Sequence, residues 1–81
     1  MYTVFPWMFD LCNNDHKLTC LFAYIFDCCQ GEQIYVKDLN TVQDAYDLCR
    51  IEPNEVDACF DKLVGIKALN KIGSCAYSIN M

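Results

Sequence analysis

The chain has 81 residues, of which 54% are hydrophobic and 21% charged, and its formal net charge is −5. This length predicts one domain over residues 1–81, and so much apolar material excludes a disordered chain. No apolar stretch reaches the roughly 18 uninterrupted residues that a membrane span needs. The N-terminus also lacks the pattern of a signal peptide, so we expect a cytoplasmic protein without membrane contact.

The first half of the chain predicts two helices and a strand. Pro6 suits the first turn of a short helix that runs to Leu11. Asp15 can cap a second helix, and Gly31 would end it. Ile34–Val36 is β-branched and aromatic, which predicts a strand. The apolar spacing of the second helix predicts a buried face made of Leu18, Leu21, Phe22 and Ile25.

The second half predicts two more helices and a hairpin. Asn40 is a reasonable cap for the third helix, and Pro53 lies just inside the start of the fourth. Alternation on both sides of Gly73 predicts a β-hairpin with strands over 68–72 and 75–79. The third helix is predicted to bury Val42, Ala45, Tyr46 and Cys49. The fourth has the best periodicity and is predicted to bury Val56, Cys59, Phe60, Leu63 and Val64.

Seven cysteines are spread along the chain. The count is odd, and Cys28 and Cys29 are adjacent and cannot easily bridge one another. Because free cysteine behaves as a small hydrophobe, we expect reduced thiols in the core rather than disulfides or metal ligands. The positions where a small apolar residue would serve equally well are Cys12, Cys20, Cys59 and Cys75.

The order helix, helix, strand, helix, helix, hairpin is typical of a winged helix. We therefore predict a mainly α, α+β fold, a winged helix-turn-helix with about four helices and a small β-hairpin wing. Two groups of residues also follow a family pattern: the opening run Tyr2-Thr3-Val4-Phe5-Pro6-Trp7-Met8 with Asp10-Leu11, and Thr41-Val42-Gln43 with Val56, Leu63 and Val64. In these residues the chain resembles the N-terminal winged-helix domains of phage replication organiser proteins, over nearly its whole length.

Three departures from that family fall on the part that would read DNA. The family usually has Gly in the tight turn, small polar and basic residues at the start of the recognition helix, and Gly just past that helix. Here these places hold Arg50, the run from Glu52 to Glu55, and Lys67. The resemblance therefore implies the frame of a winged helix, while the DNA-reading residues differ.

The net charge is concentrated in the predicted helix-turn-helix. From Asp38 to Lys62 there are seven acidic and two basic residues, which gives −5, and the rest of the chain has four of each. With Val56 and Phe60 inward, a helical wheel places Asn54, Ala58 and Asp61 at the centre of the exposed face, flanked by Glu55, Asp57 and Lys62. Carboxylates there would repel phosphates, so we do not expect DNA binding.

Two interpretations of these acidic residues remain open. They form either an ordinary solvated surface or a surface that docks on a basic partner, such as the nucleic-acid site of a host protein. Under the second interpretation the candidate binding residues are Glu52, Asn54, Glu55, Asp57, Asp61, Asp44 and Asp47.

A second candidate surface is the aromatic N-terminus. Tyr2, Phe5, Trp7, Met8 and Phe9 exceed what one short helix usually hides. They either pack into the core beneath the wing or leave part of the cluster exposed for a partner or for a homodimer, with Trp7 as its main contact.

The sequence offers no catalytic, cofactor or metal motif. His16 and Cys20 are four residues apart on a helix, but no CxxC or HxxxH pair completes a zinc site. One histidine without a partner makes no catalytic dyad, and no glycine-rich phosphate loop is present. We therefore predict neither an enzyme nor a cofactor.

These observations lead to a binding protein of phage type. The leading hypothesis is a small acidic protein that inhibits a host nucleic-acid-binding or defence factor in the host cytoplasm, as anti-CRISPR proteins inhibit CRISPR effectors. The alternative is a winged-helix DNA-binding protein, a replication organiser or repressor that uses Lys67 and Lys71 on the wing. A third hypothesis is a subunit or dimerisation module of a larger assembly.

Overall fold

The computed structural model describes residues 3–29 and 34–80 and shows an α+β fold, which confirms the predicted class. None of the helices in these ranges is long and apolar enough to cross a membrane. Its elements are α1 (Pro6–Leu11), α2 (His16–Cys28), β1 (Ile34–Val36), α3 (Leu39–Cys49), a 3₁₀ turn (Pro53–Glu55), α4 (Val56–Gly65), β2 (Leu69–Lys71) and β3 (Ala76–Ile79).

The two N-terminal helices begin where the sequence indicates, and α1 ends at Leu11 as predicted. Pro6 is the first residue of α1, and the Asp15 carboxylate caps α2 by accepting the backbone N–H of Leu18 at 3.1 Å. Asn13 and Asn14 between them have φ angles of 55° and 61°, a left-handed conformation that asparagine tolerates better than most residues. The predicted buried face of α2 is confirmed, since Leu18, Leu21, Phe22 and Ile25 are all buried. Gly31 lies outside the described residues.

The third helix differs from the prediction in its cap and in two of its four predicted buried positions. Asp38, not Asn40, is the cap: its carboxylate accepts the Thr41 N–H at 3.1 Å, and the Thr41 hydroxyl accepts the Asp38 N–H at 3.0 Å. This reciprocal pair starts the helix early and places Asn40 inside it. The buried stripe becomes Thr41, Ala45 and Cys49, so Val42 is only half-buried and Tyr46 is 45% exposed.

The fourth helix confirms most of its predicted buried face. Pro53 starts a 3₁₀ turn, and α4 itself begins at Val56. Val64 lies at the edge of the buried stripe and is half-buried. The residues that face the core are Val56, Cys59, Phe60 and Leu63.

The predicted hairpin forms, and β1 joins it. The sheet is antiparallel in the order β1-β3-β2, so β3 is the central strand. Tyr35, Tyr77 and Leu69 turn towards the helices and are buried. Phe60 of α4 meets this inner face: its ring centroid lies 6.2 Å from that of Tyr35 and 4.9 Å from that of Tyr77. These rings join the sheet to α4.

The cysteine predictions are confirmed in part. Cys12 and Cys59 are buried, and none of the seven cysteines, all of which lie in the described ranges, forms a disulfide in the structure. Cys20 is half-buried, and the prediction for Cys75 was wrong because it is exposed in the turn before β3. There its carbonyl accepts the Lys37 N–H at 2.7 Å, so the position is held by its backbone.

Arg50 and Lys67 both adopt left-handed backbone conformations. Their φ angles are 59° and 65°, and this conformation costs a residue with a side chain about 1–2 kcal/mol. Arg50→Gly and Lys67→Gly should each raise the free energy of unfolding by about 0.5–1 kcal/mol, because part of the relief is offset by the greater freedom of glycine in the unfolded chain. Urea unfolding measures this. Arg50→Ala and Lys67→Ala remove the charges but keep the strain, so a gain as large in the alanine controls would contradict the explanation.

Candidate functional site

The exposed side of α4 carries the acidic residues that the helical wheel predicts. Its opposite side is anchored in the core, so Asn54, Glu55, Ala58 and Asp61 face solvent, and Glu52 is exposed in the turn before them. Within the described ranges, the carboxylates of Glu52, Glu55 and Asp61 form no hydrogen bond or ion pair. We call Glu52, Asn54, Glu55 and Asp61 the acidic surface.

Asp57 differs from these residues because it is paired with another side chain of the same chain. The Lys37 ammonium lies 2.5 Å from Asp57 Oδ1 and sits over the rings of Phe60 and Tyr77, at 5.3 and 6.0 Å from their centroids. The hydrogen bond raises the pKa of Lys37 and lowers that of Asp57. Asp57 therefore ties α4 to the end of β1. Reversing the charge of Asp57 would place a second cation beside Lys37, so Asp57 is not included in the acidic surface.

Asp44 and Asp47 are also engaged within the protein. The Tyr24 hydroxyl of α2 donates to Asp44 Oδ2 at 2.5 Å, which joins α2 to α3. Burial, and then this hydrogen bond, raises the pKa of Tyr24. Asp47 is exposed and accepts from the Gln43 amide of its own helix at 3.0 Å. Of the two, only Asp47 lies open to a partner.

Trp7 lies on α1 and packs against α2. Its ring stacks on Phe5 at 6.3 Å and meets the edges of Phe22 at 6.0 Å and Phe26 at 5.7 Å. Trp7 and Phe5 remain partly exposed, while Met8 is fully buried. The N-terminal cluster is thus divided between core and surface, and Tyr2 lies outside the described residues.

An open cavity of about 450 Å³ was not predicted from the sequence. It lies where the turn after α1 meets the C-terminal end of α4, and it has one cation, Lys62, and one carboxylate, Asp15, in its wall. The Asp15 carboxylate already caps α2. No local pattern marks such a cavity, because its walls come from segments about fifty residues apart in the chain. The remaining lining residues are Cys12, Asn13, Leu18, Gly65 and Ile66.

The residues weighed for a metal do not meet. His16 packs against the ring of Phe9, with centroids 5.8 Å apart. Across 3–29 and 34–80, no three His, Cys, Asp or Glu side chains are arranged to hold a metal ion.

The functional interpretation of this chain comes from its own surface. Comparison with protein-family models, with curated proteins and with solved structures gives no match.

Proposed function

We propose that this chain is a small phage-type protein that acts by protein–protein contact through its acidic surface, as an inhibitor of a host nucleic-acid-binding or defence factor such as a CRISPR effector. One observation carries the proposal: three unpaired carboxylates are exposed around the helix that would read DNA, those of Glu52 and Glu55 in the turn that leads into α4 and that of Asp61 on α4 itself. A basic site that normally holds phosphates is the complementary partner.

The assignment of this frame as a winged helix rests on the order and pairing of the elements. Two helices precede β1, and α3 and α4 follow it before the hairpin. The early strand pairs with the last strand of the hairpin, which closes the wing onto the helices. The turn after α3 is tight, with Arg50 left-handed and the Ile51 N–H bonded to the Ala45 carbonyl at 3.1 Å. Helix-turn-helix proteins place the second of two such helices in the major groove.

The charge on this helix favours protein over DNA as the partner. Groove binding is driven by cations that neutralise phosphates and release counterions. The exposed side of α4 offers one lysine, Lys62, beside Glu55, Asp57 and Asp61, and the Asp57 charge is already paired. The acids that remain would repel a duplex and attract a basic protein surface. The resemblance to phage replication organisers adds a phage origin to this proposal.

Charge reversal of the acidic surface tests the proposal. We expect the unchanged protein, immobilised as bait in a host-cell lysate, to capture a basic protein that elutes as salt is raised. The variant Glu52→Lys/Glu55→Lys/Asp61→Lys should fold normally, because exposed substitutions usually change stability by within about 0.5 kcal/mol. The triple variant should no longer capture that protein. Asp61→Lys and Asp10→Lys make the same charge change on α4 and on α1, and only the first should weaken capture.

Two results would contradict this function. Equal capture of the same protein by the triple variant would show that the acids are only a solvated surface, and Trp7→Ala would then test the aromatic cluster. The other is DNA binding. Lys67 and Lys71 are exposed after α4 and on β2, and micromolar affinity for random duplex, falling steeply with salt in fluorescence anisotropy, would favour a replication organiser or repressor. We expect affinity weaker than the roughly 10⁻⁴ to 10⁻⁶ M of nonspecific binders.

A further inference from the structure

The outer face of the sheet is apolar, exposed and uncharged. Val36 of β1, Ala76 of β3 and Ile72, the residue after β2, lie side by side, and Ile34 lies beside Ser78 in the neighbouring row. Ile34, Val36 and Ile72 are 52%, 59% and 55% exposed. Asn70 completes the second row, so neither row contains a charged residue. This face differs from α4, where the acids lie.

One edge of the sheet also has backbone hydrogen-bonding groups that no residue in 3–29 or 34–80 uses. The Lys37 N–H bonds to the carbonyl of Cys75, which stands directly opposite it, so Lys37 and Tyr35 direct their backbone groups towards β3. In an antiparallel ladder the alternate residues point the other way. The N–H and C=O groups of Ile34 and Val36 therefore point away from the sheet. Among the described residues, no hydrogen bond to them is seen.

We propose that this edge pairs with the same edge of a second copy of the chain, antiparallel and across a two-fold axis. With Tyr35 opposite Tyr35 of the other copy, each Ile34 stands opposite a Val36, and both residues turn their backbone groups to the partner. Every outward N–H and C=O of the two residues then has a complement. The two three-stranded sheets become one sheet of six strands.

The edge itself favours a second copy as the occupant, because Ile34–Val36 carries no charge and its register is complementary to itself. Each copy carries −5, and all of that excess lies between Asp38 and Lys62, so two copies repel wherever those segments meet. The edge formed by Ile34–Val36 is uncharged, and it brings two β-branched side chains together in both Ile34–Val36 pairs. A basic partner would be drawn to the acidic surface instead.

The pairing does not rest on the proposed function, and salt separates the two. Binding of a basic partner to the acidic surface weakens as salt rises, whereas dimerisation of two like-charged chains holds or strengthens because repulsion is screened. The variant Glu52→Lys/Glu55→Lys/Asp61→Lys should still dimerise. Either proposal can therefore fail alone.

Sedimentation equilibrium of the whole chain, from micromolar to millimolar concentration, tests the pairing. We expect a reversible monomer–dimer equilibrium. Val36→Pro removes an outward N–H without touching a bond to β3, and it should weaken dimerisation about tenfold or more, a loss expected from hydrogen bonds given up at both symmetric positions. Circular dichroism checks that the variant is folded.

A matched pair of aspartate variants tests the pairing even if Val36→Pro disturbs the strand. Val36→Asp and Ile72→Asp place the same charge in the same row at similar exposure, but only Val36 lies on the free edge. Val36→Asp should dissociate the dimer, and Ile72→Asp should leave the dissociation constant within about threefold. A chain that stays monomeric at millimolar concentration, or equal dissociation by both aspartates, would overturn edge pairing.

Discussion

Phe60→Ala is expected to unfold much of the protein at moderate temperature. Phe60 is fully buried and links α4 to two strands through the rings of Tyr35 and Tyr77, and the Lys37 ammonium lies over its ring. Truncation of a buried phenylalanine costs about 3–5 kcal/mol, and small domains have total stabilities near the low end of about 5–15 kcal/mol. The melting temperature should fall by about 15 °C or more.

Thermal and urea unfolding followed by circular dichroism measure this effect. Val64→Ala is the control on the same helix, because Val64 is only half-buried and its substitution by alanine removes fewer atoms. It should cost about 1 kcal/mol. If Phe60→Ala cost no more than Val64→Ala, the aromatic contact between α4 and the sheet would not be the centre of the core.

Alkaline pH is expected to destabilise the protein strongly, because several groups hold their protons more tightly in the folded chain. Burial raises the pKa of the Cys12, Cys29 and Cys59 thiols above the ordinary 9.0. Burial also raises the pKa of the Tyr24 and Tyr35 phenols above the ordinary 10.0, and the Asp44 carboxylate adds to the effect at Tyr24. All five groups prefer to be neutral inside the fold.

The sign of the pH dependence follows from these directions. Where the unfolded chain has released a proton that the folded chain still holds, stability falls as pH rises. The contribution of the thiols is complete below pH 9 and is lost above it, and the tyrosines follow above pH 10. Urea unfolding in reducing buffer at a series of pH values from neutral to strongly alkaline measures the slope. Tyr24→Phe removes one group and should make it shallower, while a flat profile up to pH 11 would contradict the burial of these groups.

The elements of the fold were predictable because their signals are local. Helical spacing of apolar residues places the core faces of α2 and α4, and proline marks the start of α1. Each of these signals lies within one turn or one helix face. The cap of α3 was predicted wrongly because Asn40 and Asp38 both suit a cap, and only the hydrogen bonds with Thr41 decide between them. Tyr46 is exposed for a different reason, because the side of α3 that packs into the core is the one that carries Thr41, Ala45 and Cys49.

In the candidate site, too, only the features with local signals were predictable from the sequence. The composition alone shows that the charge excess lies between Asp38 and Lys62. The helical period predicts that Glu55 and Asp61 lie on the solvent side of α4. Only the tertiary structure decided that Asp57 belongs to the fold, since its partner Lys37 lies twenty residues away in the chain. The free edge of β1 was likewise set by its pairing with β3, a contact between strands about forty residues apart. Ion pairs, cavities and strand edges depend on how distant segments dock, and no local pattern encodes that docking.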